Sequence, residues 1–310
     1  MMSYYEITPA DAVKKLTGTF WTSPQAPLRA LVRGVAASIS ANGRTKATVY
    51  LSRPSTEEVA KQLTALSAGV EVSFEYVGAF HFTGVGAKLR RREGYSGRMA
   101  AFVQGSDSRY YALTCGHVLQ GEPSTRLEND VLIAGSHHPA KFAVKSVFDF
   151  NRNGENRIDG GLAELYPSAV PPRNHLPDGS HLPTDFATYS DGDNVTHAVD
   201  GGKQGKITST VATLLVTAGV SELTVNDMII AKSDDGLQFV KQGDSGSLFV
   251  KTADNRPLGI LIAKAKSMLV GAGLTKPSDL AIICPIERTL DLLKDEPGAI
   301  GHYPGPYQLI

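Results

Sequence analysis

Residues 242–247 read Gln242-Gly243-Asp244-Ser245-Gly246-Ser247, the most specific string in the chain. A serine hydroxyl is a poor nucleophile until a base takes its proton and backbone N–H groups receive the oxyanion. Both tasks need a sharp, uncluttered turn, which a glycine on each side of Asp244-Ser245 permits. A plain tight turn between strands would use the same residues, so the surroundings decide. Upstream, Leu113-Thr114-Cys115-Gly116-His117-Val118 ends an apolar run with a histidine after small residues. Between the two, Asp159-Gly160-Gly161-Leu162-Ala163 sets a carboxylate directly before a buried-looking strand, where it can hold a histidine ring in one tautomer. Alone, such a histidine is structural and such an aspartate a turn residue. Together His117, Asp159 and Ser245 supply base, orienter and nucleophile.

Around these motifs the chain is a series of short β runs, at 99–103, 110–114, 131–133, 142–150, 162–165, 206–216, 223–230, 247–250, 258–262 and 281–284. Glycine, Asn and Asp turns separate them, and one helix follows, led by Pro285 with Ile286, Leu290 and Leu293 on one face. This spacing predicts an all-β barrel or sandwich closed by a terminal helix. The first 80 residues differ. Thr8-Pro9-Ala10-Asp11 starts a helix, 31–39 alternates as a strand, Asn42-Gly43 turns it, and Ala47, Val49 and Leu51 continue the alternation. Ser55-Thr56-Glu57-Glu58 caps a second helix through Val59, Leu63 and Leu66, before Val70, Val72, Phe74 and Tyr76 alternate again. The order predicts a small α/β module over 1–85. A glycine-rich linker with the basic run Lys88-Leu89-Arg90-Arg91-Arg92 covers 86–97, the β domain covers 98–296, and a flexible tail without periodicity covers 297–310.

Composition removes several function classes. Among 310 residues, 31 Lys and Arg balance 31 Asp and Glu, so no global cationic field favours nucleic acid or an anionic membrane. No apolar run reaches the length of a membrane span, and Met1 to Ile7 lacks a secretory pattern, so a cytoplasmic location is expected. Two cysteines, Cys115 and Cys284, suit neither a disulfide framework nor a cysteine zinc site. Asp149 to Asp159 begins like a calcium loop, but its twelfth position is Gly160. His137-His138 has no supporting ligand spacing, and Gly202-Lys203-Gln204-Gly205-Lys206 lacks the glycine spacing of a phosphate loop. No metal or cofactor is expected.

Through Leu113 to Val118, Asp159 before Leu162-Ala163, and Gly243 to Ser247 followed by Leu258-Gly259-Ile260, the sequence resembles the trypsin-like (chymotrypsin-fold) serine peptidases. Ala163-Glu164-Leu165, the proline-led helix at Pro285-Ile286-Glu287-Arg288-Thr289-Leu290 and the preceding α/β segment make it similar to bacterial peptidases related to the plant narrow-leaf protein. The resemblance implies a mainly β fold, two six-stranded barrels with a closing C-terminal helix and the site between them. It implies that Ser245 is the nucleophile, His117 the general base and then acid, and Asp159 the orienting carboxylate, with the N–H groups of Gly243 and Ser245 as oxyanion hole. By the same analogy Phe239 forms the base of a specificity pocket and Ile262, Ala263 and Lys264 its wall. The chain lacks the Ile-Val-Gly-Gly start whose freed amino group would pair with the Asp before the nucleophile, so Asp244 needs another partner. The implied activity is that of a serine endopeptidase acting on a protein or peptide through an acyl-enzyme. Alternatives on the same fold are a latent peptide-binding or oligomeric scaffold and an esterase. The N-terminal module, without catalytic residues, is expected to position protomers of a homo-oligomer or to restrict access to the cleft.

Overall fold

The computed structural model describes residues 7–24, 26–40, 42–67, 69–77, 80–82, 87–90, 96–120, 132–133, 140–147, 155–166, 171–199, 202–218, 221–233, 238–269, 278–295 and 305–310. Helix α1 (Pro9–Trp21) opens on Pro9, with the Thr8 side chain accepting from the Asp11 N–H, and buries Ala12, Val13, Leu16 and Phe20. A short α2 (Ala26–Leu31), absent from the sequence expectation, leads into β1 (Val32–Ile39). The chain turns through Gly43 at φ 79° into β2 (Thr45–Leu51), and α3 (Glu57–Leu66) carries it to β3 (Glu71–Tyr76). β2 and β3 are parallel, which a hairpin cannot connect, so the capped helix between them is the required crossover.

Next come β4 (Phe80–Phe82), β5 (Ala87–Arg90), β6 (Ser96–Met99), β7 (Ala101–Gln104), β8 (Tyr110–Thr114) and a single turn, α4 (Gly116–Gln120). β5 and β6 pair antiparallel from Ala87 opposite Met99 to Arg90 opposite Ser96, so the expected linker over 86–97 holds paired strands. Main-chain pairing tolerates a basic run, and the run therefore hid the strand from a reading based on composition. The first half is completed by β9 (Leu132–Ile133), β10 (Ala140–Val147), β11 (Glu155–Asn156) and β12 (Gly160–Leu165). The second half contains β13 (Asn194–His197), β14 (Gln204–Ser209), β15 (Val211–Ala218), β16 (Ser221–Val225), β17 (Ile229–Ser233), β18 (Leu248–Lys251), β19 (Pro257–Leu269) and β20 (Ser278–Pro285). Helix α5 (Ile286–Asp295) and β21 (Gln308–Leu309) finish the chain.

β19, β18, β13, β14, β17 and β20 are hydrogen-bonded in that order, and β20 pairs back onto β19 to close a six-stranded barrel. Val195, Ile207, Ile229, Phe239, Phe249, Leu261 and Ile283 fill it. Among the described residues four first-half strands and the C-terminal β21 form a five-stranded sheet, β10-β12-β8-β7-β21, and β6-β5-β9 form a three-stranded one. The architecture is mainly β with a closing helix, as the sequence predicts. Gly160 sets how close that helix comes, because a Cβ there would meet Thr289 Cγ2 at 2.3 Å.

Residues 206–216, read as one strand, are two. The Ser209 hydroxyl takes up the Ala37 and Val211 carbonyls at 2.7 Å each, β14 stays in the barrel, and β15 turns away to pair with β1. β19 likewise runs past its expected end at 262 and meets β3 at Met268 and Leu269. Module and barrel thus share one sheet, which alternation of apolar residues alone could not reveal because it persists across the bend. The tail also differs at its end. Leu309 pairs with Val103, Tyr307 stands edge-on to Tyr111 at 5.6 Å, and Asn174 Nδ2 donates to the Ile310 carbonyl. A two-residue strand is too short to leave a periodic signal. Residues 297–304, His137-His138 and 149–154 of the calcium-like loop lie outside the described residues. Among those described, no helix is long and apolar enough to cross a membrane.

Candidate active site

β8 ends at Thr114, and the turn α4 begins at Gly116 with His117 second in it. Val118 and Leu119 anchor this turn in the core. Asp159, fully buried, precedes β12, which pairs with β8, so strand pairing sets the carboxylate beside the histidine. Asp159 Oδ2 lies 2.5 Å from His117 Nδ1, and Oδ1 accepts the His117 backbone N–H at 3.0 Å. With Nδ1–H donated to the carboxylate, Nε2 is the ring nitrogen left to act as base.

Ser245 is fully buried in a turn with positive φ on both flanking sides, +104° at Gly243 and +90° at Gly246. Its hydroxyl donates to the Ile262 carbonyl at 3.1 Å. The turn is tied to the histidine strand through β6. Arg98 N–H donates to the Ser245 carbonyl at 2.7 Å, and the Arg98 carbonyl accepts from the Thr114 hydroxyl, three residues before His117, at 2.5 Å. Gly246 lies so close to that seam that a Cβ would meet the Arg98 oxygen at 2.0 Å and Thr114 Oγ1 at 2.3 Å.

Asp244 finds its partner in the same arginine, whose Nε lies 3.3 Å from Asp244 Oδ1. Its Oδ2 accepts the Lys241 N–H at 2.9 Å and stands 3.9 Å from His197 Nδ1. Burial raises the Asp244 carboxyl above its usual range even so. Arg98 and His197 escaped the sequence reading. The only signal was the need of Asp244 for a cation, and several basic residues could have met it.

His197 is buried and stacked on Phe249 at 4.8 Å, with Nε2 2.6 Å from Ser247 Oγ, which in turn donates to the Asp244 carbonyl at 2.6 Å. Burial, helped by the Arg98 and Lys241 cations, lowers its pKa from 6.5 to about 3. The folded state therefore refuses a proton that the unfolded chain accepts below pH 6.5. The stability linked to His197 is complete above that pH and is lost on acidification towards 3, at up to about 1.4 kcal/mol per pH unit. The raised Asp244 carboxyl works in the opposite sense. Urea midpoints between pH 4 and 7 should show a shallower acid loss for His197→Gln, which keeps a donor for Ser247; an unchanged slope would place the titration elsewhere.

Of the residues expected to shape a specificity pocket, Phe239 is packed in the closed barrel, edge-on to Phe249 at 5.4 Å and against Gly205. Ile262 and Ala263 are fully buried and Lys264 is half-buried. The Ile262 carbonyl accepts the Ser245 hydroxyl. Cys115, His117 and Asp159 bring ligand-type atoms within 4.8 Å of one another. That set suits a metal poorly, because burial pushes the Cys115 thiol well up, the thiol donates to the Leu261 carbonyl, and His117 occupies both carboxylate oxygens. Both cysteines are free and buried.

No protein-family model matches the chain, and no curated protein sequence matches it. Among solved structures it is similar to protease A of Thermobifida fusca, at 18% identity and a TM-score of 0.47 over 74% of this chain and 98% of that one. A protease from Nocardiopsis gives 15% and 0.44 over 68% and 95%. A chymotrypsin from Cellulomonas bogoriensis gives 16% and 0.41 over 74% and 98%.

Proposed function

We propose that the chain is a serine endopeptidase in which His117, Asp159 and Ser245 form the catalytic triad. The observation that carries this is the double engagement of His117 by fully buried Asp159, ring at 2.5 Å and main chain at 3.0 Å. A structural histidine needs one partner to be satisfied; fixing ring and backbone together fixes the direction of Nε2. In the proposed reaction Ser245 Oγ bonds to the substrate carbonyl carbon while its proton passes to Nε2. The tetrahedral oxyanion is received by the N–H groups of Gly243 and Ser245. Collapse breaks the C–N bond, and the proton moves from Nε2 to the departing amine. Water then attacks the acyl ester, giving its proton to Nε2, and Ser245 leaves as the alcohol with that proton restored. The positive φ of Gly243 supports the oxyanion role, since it holds the preceding peptide in an orientation an L-residue resists. A protein or peptide is the proposed substrate.

A fluorophosphonate probe tests the nucleophile. One covalent adduct is expected on the intact protein and none on Ser245→Ala, read by mass. Equal labelling of the two would move the nucleophile elsewhere, and no labelling of either would remove the peptidase reading.

A further inference from the structure

The hydroxyl of Ser245 rests on the Ile262 carbonyl, so the stretch of β19 beginning there is the strand beside the nucleophile. One edge of that stretch is closed throughout by β20, with Ala263 opposite Ile282 and Lys264 opposite Ala281. The other edge is closed before Ile262 by β18 and the nucleophile turn, through Leu248 opposite Ile260 and the Gly246 and Leu261 N–H groups. Further on it is closed by β3, which reaches Met268. An extended peptide that is to reach Ser245 while pairing with this strand has only the edge between them. Such pairing is how a cleft grips a main chain irrespective of its side chains. That edge is taken. β4 lies antiparallel on it, Phe82 opposite Ala263 and His81 opposite Lys264, and runs towards Ile262. Its other side pairs with β15, Phe80 opposite Val216 and His81 opposite Thr217.

We infer that Phe80–Phe82 is an internal occupant of the substrate edge, a three-residue strand that a peptide must displace before Ser245 can attack it. This rests on the peptidase reading above and adds its regulation. Two chains cannot use the same main-chain N–H and C=O groups along this one edge of β19, so β4 and a paired peptide exclude each other. β4 suits the task because it is short. It is also held on both sides by strands, β15 and β19, that join the N-terminal module to the barrel. Whatever pulls on that module therefore acts on the edge. A two-residue ladder is a small barrier to exchange, since the incoming peptide restores the hydrogen bonds it replaces.

The experiment compares the full chain with His81→Pro, in which the central residue of β4 loses the N–H and the freedom a paired strand needs. Three quantities are read. Binding of fluorescein-labelled β-casein, an unfolded chain, is measured by anisotropy in a Ser245→Ala background. Cleavage of the same casein and the rate of fluorophosphonate labelling are measured with Ser245 intact. Binding and cleavage should each improve about tenfold, the scale of one or two main-chain hydrogen bonds, while labelling by the small probe changes less than about twofold. Unchanged casein binding in a variant with wild-type circular dichroism overturns the inference, and if Ser245 still labels, the peptidase reading survives it. Tighter binding without labelling of Ser245 supports β4 as the occupant of the edge and removes the peptidase reading instead. Should His81→Pro fail to fold, His81→Cys/Lys264→Cys pins β4 in place: the oxidised form should bind casein about tenfold more weakly than the reduced form, and equal binding overturns the inference.

Discussion

Asp159→Asn should lower turnover and fluorophosphonate labelling by about 10⁴-fold while leaving the fold nearly intact. The asparagine oxygen can still accept the His117 main-chain N–H, which Asp159 Oδ1 now receives at 3.0 Å, so that buried donor keeps its partner. The amide nitrogen would face Nδ1 at the position where Oδ2 lies 2.5 Å away. A donor there draws the ring into the other tautomer, with its proton on Nε2, where it can no longer take the Ser245 proton. The measurement is a pair: labelling rate at pH 7.5, and urea midpoint. A large loss of rate with a midpoint shift of under about 1 kcal/mol is expected. Equal losses in both would mean that Asp159 serves the fold alone. Asp159→Ala separates the roles, since it also strands the His117 N–H and should cost about 1–3 kcal/mol of stability.

Gly246→Ala should be the most destabilising single-methyl substitution in the site. Its φ of +90° disfavours an L-residue, and the new Cβ would stand 2.0 Å from the Arg98 carbonyl and 2.3 Å from Thr114 Oγ1. Neither neighbour is the free end of a flexible chain; they are a strand backbone and a hydroxyl already bonded to it. Backbone strain of about 1–3 kcal/mol and overpacking of about 1–3 kcal/mol both apply, so a total near 4 kcal/mol is expected. Relief requires β6 or the turn to move, which displaces the proposed nucleophile relative to the proposed base, and a shift of about 1 Å should cost about 10²-fold in turnover. Gly43→Ala is the control: φ is +79° but nothing lies within 4 Å of its added Cβ, so strain acts without the clash. If the two substitutions prove equally costly by denaturant midpoint, the close approach of the two halves at Gly246 does not govern the site.

The two parts of the molecule are coupled at that seam. Arg98 touches the nucleophile turn and the histidine strand three times, by its N–H to Ser245, by its carbonyl to Thr114 and by its guanidinium to Asp244. A cation within the chain is thus the ion-pair partner of Asp244. β6 also passes close enough to α4 that a Cβ at Gly97 would meet Val118 Cγ1 at 2.2 Å.

His117, Asp159 and Ser245, the residues proposed as the triad, stand out in the sequence because each sits in a local pattern that chemistry constrains: small residues before a histidine, a carboxylate at a strand start, glycines around a serine. The mainly β fold and the closing helix were legible for a similar reason, since alternation and a proline-led amphipathic run are properties of neighbours in sequence. Strand partnership is not such a property. That β15 leaves the barrel for β1, that β5 and β6 pair through a basic run, that Leu309 returns to Val103 and that β4 lies on the edge beside Ser245 all depend on main-chain groups every residue carries. Arg98 and His197 meet Asp244 through their side chains, but from distant strands, so no pattern near Asp244 in the sequence points to them. Sequence by itself determined which side chains are candidates for the proposed chemistry; only the tertiary structure decided which cation meets Asp244 and which strand pairs with β19 beside Ser245, because strand pairing and contacts between distant side chains leave no local mark on residue identity.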